Sequence, residues 1–173
     1  MKSFSSRTIV FAGALIALHV IFARLISIPL GQILRISISG VPLILSGLWL
    51  GPVTGGICGL IGDLIGCAIN GYAPNPFITV ATVLVGVIPG LFRGFMVGDK
   101  PGVKRLLRFL LVIAVTRFIS SQLLTTFGLS VMYGMPFTAT FVSRFLSTTV
   151  VTVVDAFLSE LIYTRVRISE FYS

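Results

Sequence analysis

The sequence has little charge and few residues that are suited to catalysis. Only 10% of its 173 residues are charged, with five acidic residues, one histidine and two cysteines. A soluble domain of this size needs a polar exterior, which this composition does not supply. No nucleophile–base motif and no phosphate-cradling loop are recognisable. The sequence therefore predicts neither an enzyme nor a soluble protein.

The histidine and the cysteines do not indicate a metal site or a disulfide. His19 stands alone, and no metal-ligand spacing connects it to Cys58 or Cys67. The two cysteines fall on one predicted helix, about 13–14 Å apart along its axis and on opposite faces. That separation excludes a disulfide between them, so we expect no metal and no cofactor.

The chain is instead rich in apolar residues. It is 55% hydrophobic with a mean hydropathy of +1.06. Its apolar runs of about 20 residues match the length that a bilayer core of ~30 Å requires, and the short alternating segments of a membrane β-barrel are not seen. The sequence predicts an all-α integral membrane protein forming a single domain over residues 1–173.

Turn residues divide the apolar sequence into six predicted transmembrane helices. The first segment is read as a retained helix rather than as a signal peptide, because no convincing cleavage site follows it. The second is short for a full span, and residues 28–40 between the first two form a loop with a short extended or helical piece. The predicted helices cover residues 8–27, 41–50, 53–69, 77–97, 106–132 and 137–164.

The basic residues predict the orientation. An even number of spans places both termini on one side, and most of the 13 basic residues then fall on that side or at its edge. By the positive-inside rule both termini are cytoplasmic. The net charge of +8 is dispersed over helix ends rather than gathered on one face, so we expect no nucleic-acid partner.

Two glycine ladders repeat at every fourth residue. The first comprises Gly47, Gly51, Gly55 and Gly59, and the second comprises Gly86, Gly90, Gly94 and Gly98. Bare backbone on one helix face lets helices approach closely in lipid. The pattern favours tight packing over ligand contact. Gly13 and Ala17 form a smaller stripe on the first helix, which either packs internally or docks a membrane partner.

Three charged residues fall near the middle of predicted spans: Asp63, Arg117 and Asp155. Ionised groups at that depth are costly, so they pair with one another or line a polar cavity. A buried pair is weak support for a role in stability. Both interpretations stay open, including a pair between Asp63 and Arg117.

The outer half of the predicted bundle contains arginines, aromatic rings and amides but almost no carboxylates. Arginine binds carboxylates with two parallel hydrogen bonds, and aromatic rings stack on flat heterocycles. A pocket for a flat, anionic ligand is therefore predicted. The alternative is that the arginines only extend to the membrane interface, as we expect for Arg24. The predicted ligand-binding residues are Arg35, Trp49, Asp63, Asn70, Asn75, Phe77, Arg117, Gln122, Thr126, Phe127 and Arg144.

Three stretches carry a resemblance to a known family. They are LRISISGVPLILSGLWLGPVTGGICGLIGDLIG, NGYAPNPFITVATVLVGVIPGLFRG and LLTTFGLSVMYGMPF, the last followed by Arg144. Together with the small-residue first helix, they resemble the S-components of energy-coupling factor (ECF) vitamin transporters. The turn GP followed by GxxGD is shared across that family, whereas the third stretch is more similar to its folate-specific members.

The resemblance implies a six-helix subunit of the bacterial cell membrane that binds folate at the outer face. It further implies partnership with a membrane T-component and with two ATPase subunits, which alone would use ATP. Residues 28–40 would gate the site, and Gly13 and Ala17 would contact the T-component. Another vitamin or a nucleobase-like compound is the alternative ligand; a membrane enzyme or a stand-alone channel fits the sequence less well.

Folate consists of a flat pterin, an aromatic ring and a glutamate with two carboxylates. Arg35 is the first candidate for a carboxylate clamp, with Arg117 or Arg144 as the second. Trp49, Phe77 and Phe127 are candidates for stacking. Asp63 or an asparagine would read the donor edge of the pterin, because a carboxylate accepts two parallel hydrogen bonds.

Overall fold

The structure, a computed structural model, describes residues 6–24, 28–30, 34–71, 73–98 and 102–166. Its elements in chain order are α1 (Ser6–Arg24), β1 (Ile28–Leu30), β2 (Leu34–Ile36), α2 (Gly40–Leu50), α3 (Pro52–Asn70), α4 (Pro76–Leu91), α5 (Arg93–Val97), α6 (Val103–Arg117), a π-helical segment (Phe118–Leu124), α7 (Thr125–Tyr133) and α8 (Phe137–Arg165).

Within the described residues, the helices form six rods. The pairs α4–α5 and α6–α7 correspond to the fourth and fifth predicted helices, and the other four helices match one to one. Four rods are long and apolar enough to cross a bilayer, whereas α2 and α4 are shorter apolar helices. The short extended piece predicted before α2 is an antiparallel pair, β1 and β2, with Pro29 opposite Arg35.

Glycine and asparagine define the helix ends around α3. Gly51 separates α2 from α3 with a φ of 93°, a value that favours glycine, and Pro52 occupies the first turn of α3. Gly71 ends α3 in the left-handed conformation. Asn75 caps α4 by accepting hydrogen bonds from the backbone N–H groups of Phe77 and Ile78. The predicted turns are therefore confirmed.

The two glycine ladders pack against each other. A Cβ on Gly47 or on Gly55 would meet the carbonyl oxygen of Gly86, overlapping it in the first case and lying 2.7 Å away in the second. A Cβ on Gly86 would overlap the carbonyl oxygen of Gly55 in return. The three helices α2, α3 and α4 therefore touch backbone to backbone, as the ladders predicted. The third partner, α4, was not anticipated.

Pro89 divides the fourth predicted helix. Proline lacks the N–H that would donate to the carbonyl of residue 85, and its ring crowds that carbonyl. The regular helix α4 ends two residues later at Leu91, and the five-residue α5 follows after Phe92. The predicted continuous helix over residues 77–97 is thus two helices joined by a bend.

Both ends of the described chain lie at one end of the bundle. Successive contacts of α1 with α3, Ala12 with Cys58 and His19 with Gly62, show that these two helices run parallel. Near the C-terminal end of α8, Tyr163 stacks on Trp49, one residue from the end of α2. The start of α1, the end of α2 and the end of α8 are therefore neighbours, in agreement with an even number of spans.

We predict that Gly86→Ala destabilises the protein, because the added methyl group meets the backbone of Gly55, which cannot rotate away. Overpacking of this kind costs about 1–3 kcal/mol. The matched control is Gly94→Ala, since a Cβ there meets nothing within 4 Å. Thermal unfolding of the detergent-purified variants should show a lower midpoint for Gly86→Ala only. Equal midpoints for both variants would contradict the backbone contact.

Candidate functional site

A cavity of about 100 Å³ lies where α2 begins. Because α2 has only 11 residues, it extends about 16 Å, whereas α3 with 19 residues extends about 28 Å. The chain therefore enters α2 at mid-depth, and the space beyond its first turn is open to side chains from α1, α4 and α6. The cavity is lined by His19, Ser39, Gly40, Leu43, Ala81, Thr82, Val85, Arg117, Ser120, Ser121 and Thr125.

A buried ion pair forms one wall of this cavity. Arg117, the last residue of α6, pairs with Asp155 of α8. The Asp155 side chain is fully buried and that of Arg117 is 13% exposed. The alternative that Arg117 pairs with Asp63 is wrong, because Asp63 instead accepts a hydrogen bond of 2.7 Å from the hydroxyl of Thr79. Pairing with Asp155 neutralises Arg117 within the protein itself.

Gly40 fits against the ion pair. A Cβ at this position would overlap the Arg117 guanidinium and lie 2.6 Å from Oδ2 of Asp155. Any larger residue would displace one of the two charged groups. The first turn of α2, with the positive end of its dipole, thereby reaches the cavity. The N–H of Val41 is already bonded to the carbonyl of Ile38, and Pro42 has no N–H.

Two hydrogen bonds fix the segment before α2 onto α1. The hydroxyl of Ser37 donates to the carbonyl of Phe22 at 2.8 Å. Nδ1 of His19 donates to the carbonyl of Ser39 at 2.8 Å. The ring of His19 also fills the space beside Gly62 of α3. His19 therefore holds the segment before α2 against α1 at the cavity wall.

The π-helical segment contributes the polar face of the cavity. Its wider turn is visible where the backbone N–H of Thr125 donates to the carbonyl of Ser120, five residues earlier. The hydroxyl of Thr125 donates to the same carbonyl at 3.0 Å. Ser120, Ser121 and Thr125 all line the cavity. π-Segments inside α-helices are often found at functional sites. Nothing in the sequence of residues 118–124 indicated this departure from an α-helix.

Arg144 lies behind Ser121. Its Nη2 donates to the hydroxyl and the carbonyl of Ser121 at 3.3 and 3.5 Å, and its Nε is buried without a hydrogen-bond partner. Within the described part of the chain, Arg144 has no carboxylate partner. It is thus a mostly buried cation whose charge remains uncompensated, next to the cavity.

Two more predicted residues extend the same polar region. Gln122 donates to the carbonyl of Phe141 at 2.6 Å, while its Oε1 is buried and has no donor. Thr126, one turn further, is fully buried, and its hydroxyl also has no partner. The structure therefore brings Gln122, Thr126 and Arg144 close to the cavity wall.

The remaining outer residues surround the start of α4. Asn75 caps this helix and also donates to the carbonyl of Gly128 at 3.0 Å, so its amide is already used by the protein. Phe77 and Phe127 meet edge to face with centroids 5.1 Å apart. Asn70 is exposed at the end of α3 and donates to the carbonyl of Gly66.

Of the predicted ligand-binding residues whose side chains are described, only Arg117 lines the cavity itself, and Trp49 lies away from it. Trp49 lies nine residues after Gly40, at the opposite end of α2. Its ring stacks on that of Tyr163 with centroids 6.4 Å apart. Its predicted place in the outer half is therefore wrong. Arg35 lies in β2 opposite Pro29, and its side chain falls outside the described part of the structure.

The stripe on α1 faces outward. Gly13 and Ala17 are exposed, and a Cβ on Gly13 would meet nothing within 4 Å. Large apolar side chains surround the stripe, including Val10 at 70% and Leu18 at 44% exposure. Of the two interpretations of the stripe, internal packing is wrong, because no other helix covers it within the described residues.

We predict that Asp155→Leu strongly destabilises the protein. Removing one partner leaves the Arg117 charge buried and unpaired, at a cost of about 3–5 kcal/mol. The double variant Arg117→Met plus Asp155→Leu removes both charges and should recover most of the loss. Denaturant unfolding of the two single variants and the double variant measures the coupling. Additive losses would show that the two side chains do not act as a pair.

Comparison with known proteins gives three consistent matches. Residues 3–167 match the family described as ECF-type riboflavin transporter, S component. The folate transporter FolT of Clostridium novyi (strain NT) is 28% identical over 138 residues, which span 78% of this chain and 75% of that protein. A crystal structure of FolT bound with folic acid superimposes with a TM-score of 0.76 at 25% identity, covering 94% of this chain and 95% of that one.

The family match and the structural match extend over nearly the whole chain and agree with its membrane-spanning helices. The family consists of transporter components and not of enzymes, in line with the lack of a catalytic motif in the sequence. From the match over residues 3–167, the chain belongs to the family of S components of ECF-type transporters.

Proposed function

We propose that this protein is the folate-binding subunit of an ECF-type uptake transporter in the bacterial cell membrane. The observation that carries the proposal is the likeness to FolT in complex with folic acid, over 94% of the chain at a TM-score of 0.76. The subunit captures folate at the extracellular face and passes it inward together with a T-component and two ATPase subunits.

The charges of the site favour an anionic ligand. The first turn of α2 reaches the cavity, and helix N-termini favour negative groups through their dipole. Arg144 adds a buried cation without a carboxylate partner in the described chain. A ligand carboxylate at Arg144 would supply the missing partner.

Arg144 is a better carboxylate clamp than Arg117. Asp155 already neutralises Arg117, and a second carboxylate there would face a like charge across the same guanidinium. Arg144 is held only by Ser121. We therefore assign the glutamate tail of folate to Arg144, with Arg35 as the second cation.

The flat rings of folate have partners in the same region. Phe77 and Phe127 form an aromatic pair beside the start of α4, and aromatic faces stack on planar heterocycles. Asp63 keeps one carboxylate oxygen bonded to Thr79, which orients the group. In this assignment Asp63 accepts hydrogen bonds from the N–H groups at the donor edge of the pterin. Asn70, Asn75, Gln122 and Thr126 complete the proposed ligand-binding set.

Folate is larger than the cavity. Clefts for ligands of this size have volumes of roughly 300–1,000 Å³, whereas this cavity measures about 100 Å³. Binding therefore requires the site to open, and residues 28–40 are the segment that moves. In the described part of this segment, Ser37 and Ser39 form the hydrogen bonds to α1 that such a movement would break.

Riboflavin is the second candidate ligand, since the matched family is described as a riboflavin transporter component. Its flat ring system suits the aromatic pair equally well. Riboflavin has no carboxylate, however, and would leave the buried charge of Arg144 uncompensated. The charge of the site thus favours folate over riboflavin.

The basic residues support the orientation with cytoplasmic termini. Arg7, Arg93, Lys104, Arg105, Arg108 and Arg165 all belong to the end of the bundle where α1 begins and α8 finishes. An excess of Lys and Arg at one end is typical of the cytoplasmic side. The cavity then opens toward the outside.

We predict that isothermal titration of the purified protein detects tight binding of folate and none of riboflavin or thiamine. Arg144→Gln should weaken folate binding about 10- to 100-fold, since a hydrogen bond to a charged group contributes about 1.5–3 kcal/mol. Arg144→Lys should lose less, because it keeps the charge but not the two-pronged geometry. Binding of riboflavin or thiamine in place of folate would refute the assignment of the ligand.

Pteroate lacks the glutamate of folate, so it distinguishes the contribution of the glutamate to binding from that of the pterin end. If Arg144 binds the glutamate, Arg144→Gln should change pteroate binding much less than folate binding. The control is Arg165→Gln, which removes an exposed arginine at the other end of α8 and should leave both affinities unchanged. An equal loss of affinity for folate and pteroate would show that Arg144 does not bind the glutamate of folate.

We predict a different outcome for Gly13→Leu combined with Ala17→Leu. This face is exposed and lies away from the cavity, so folate binding should persist. Close approach of a T-component helix would be blocked, so folate uptake by cells that contain the complete transporter should fall. Leu18→Ala, on the same helix, is a milder control. Loss of ligand binding by the double variant would show that the stripe is needed for folding.

A further inference from the structure

A second, wholly apolar cavity of about 310 Å³ lies between the α4–α5 bend and α6. Its volume reaches the range of clefts that hold small molecules, roughly 300–1,000 Å³. It is lined on one side by Ile88, Phe92 and Phe95 and on the other by Leu111, Val112 and Val115. We refer to it as the α5–α6 groove.

The groove results from the bend at Pro89. The regular turns of α4 stop at Leu91, and the short α5 continues in a new direction after Phe92. The buried Met96 anchors α5 in the core next to Phe109. Phe92 and Phe95 remain on the outside and are about half exposed. The cavity lies between these rings and the side chains of α6.

One end of the groove is basic. On α6, Lys104 and Arg108 lie four residues apart and share a face with Leu111 and Val115, which are seven and eleven residues beyond Lys104. The guanidinium of Arg108 lies 5.1 Å from the centroid of the Phe95 ring. Its Nη1 also donates to the Phe95 carbonyl at 3.3 Å. Arg108 thus marks the point where the apolar lining ends and the cationic surface begins.

Arg93 adds an exposed cation beside Phe92. Within the described chain, no carboxylate pairs with Arg93 or Lys104. Asp63 and Asp155 lie at the ligand site, and Glu160 is 3.8 Å from Arg105. In the intervening sequence, Asp99 and Lys100 contribute opposite charges. The mouth of the groove therefore carries a net positive charge.

We propose that the α5–α6 groove binds an anionic phospholipid, with an acyl chain along the apolar lining and the phosphate against Arg93 and Lys104. The distance from Arg108 to Val115 is seven residues, or about 10 Å along the helix axis. A groove of this length holds an acyl chain from the membrane interface into the hydrocarbon layer. Basic pockets between helices on the cytoplasmic side are suited to anionic headgroups.

A lipid fits the groove better than a protein helix. A docking helix would have to present negative charge at the interface and bulky apolar side chains directly below it. A phospholipid meets both requirements in one molecule, and the cytoplasmic leaflet carries anionic lipids. The exposed small-residue face for a close-packing helix lies instead on α1, at Gly13 and Ala17.

Native mass spectrometry of the full-length protein tests the proposal with phosphatidylglycerol and phosphatidylcholine of matched chains. Titration in detergent should show one phosphatidylglycerol retained at concentrations where phosphatidylcholine is not. Arg93→Gln and Lys104→Gln should each weaken this binding about fivefold, as expected for one basic residue near a charged lipid. Arg165→Gln, which removes an exposed basic residue at the same end of the bundle, is the matched control and should change nothing.

A second pair of variants tests the apolar half. Val115→Trp fills the groove and should lower retention of the lipid, whereas Val142→Trp, at another exposed position on α8, should not. Equal retention of the two lipids, or an equal effect of Arg165→Gln, would overturn the proposal. If Val115→Trp leaves lipid binding intact and blocks assembly with other transporter subunits, the groove is a protein interface instead. These readouts do not depend on which vitamin is bound.

Discussion

The backbone contact of α2, α3 and α4 is the constraint on which the rest of the structure depends. Lipid provides no hydrophobic drive between helices, so close van der Waals packing must hold them together. Gly47, Gly55 and Gly86 allow that approach because no Cβ separates the three backbones. The resulting unit leaves α1 on one side and the α6–α8 pair on the other. It also fixes the depth at which the short α2 begins.

The depth of α2 determines the chemistry of the cavity. Its first turn begins at Gly40, against the ion pair of Arg117 and Asp155, and the π-helical segment directs Ser120 and Ser121 to the same space. Inside the membrane an uncompensated charge is costly. The protein satisfies Arg117 with its own carboxylate and leaves Arg144 to be satisfied from outside. In the proposed function, this difference between two similar arginines favours an anionic ligand.

Much of the fold could be predicted from the sequence, because helix-forming segments in lipid are long, apolar and interrupted by recognisable turn residues. The two glycine ladders correctly predicted tight packing, and Gly51, Gly71 and Gly134 all have positive φ at the predicted turns. The site was harder to predict from the sequence than the fold. Asp63 and Asp155 were equivalent candidates for pairing with Arg117, and only the relative rotation of α3, α6 and α8 distinguishes them. Trp49 was misplaced because its distance from the membrane surface depends on where α2 starts.

The sequence by itself determined that this chain folds in a membrane and how many helical rods it forms. It also contains the residue types that a flat, anionic ligand requires. These properties follow from composition and from local patterns, which a linear reading contains. Only the tertiary structure decided which charges are compensated, where the π-helical turn points its hydroxyls and which faces remain uncovered. Those outcomes depend on contacts between residues such as Arg117 and Asp155, 38 positions apart in the chain, and no local pattern encodes that distance in space.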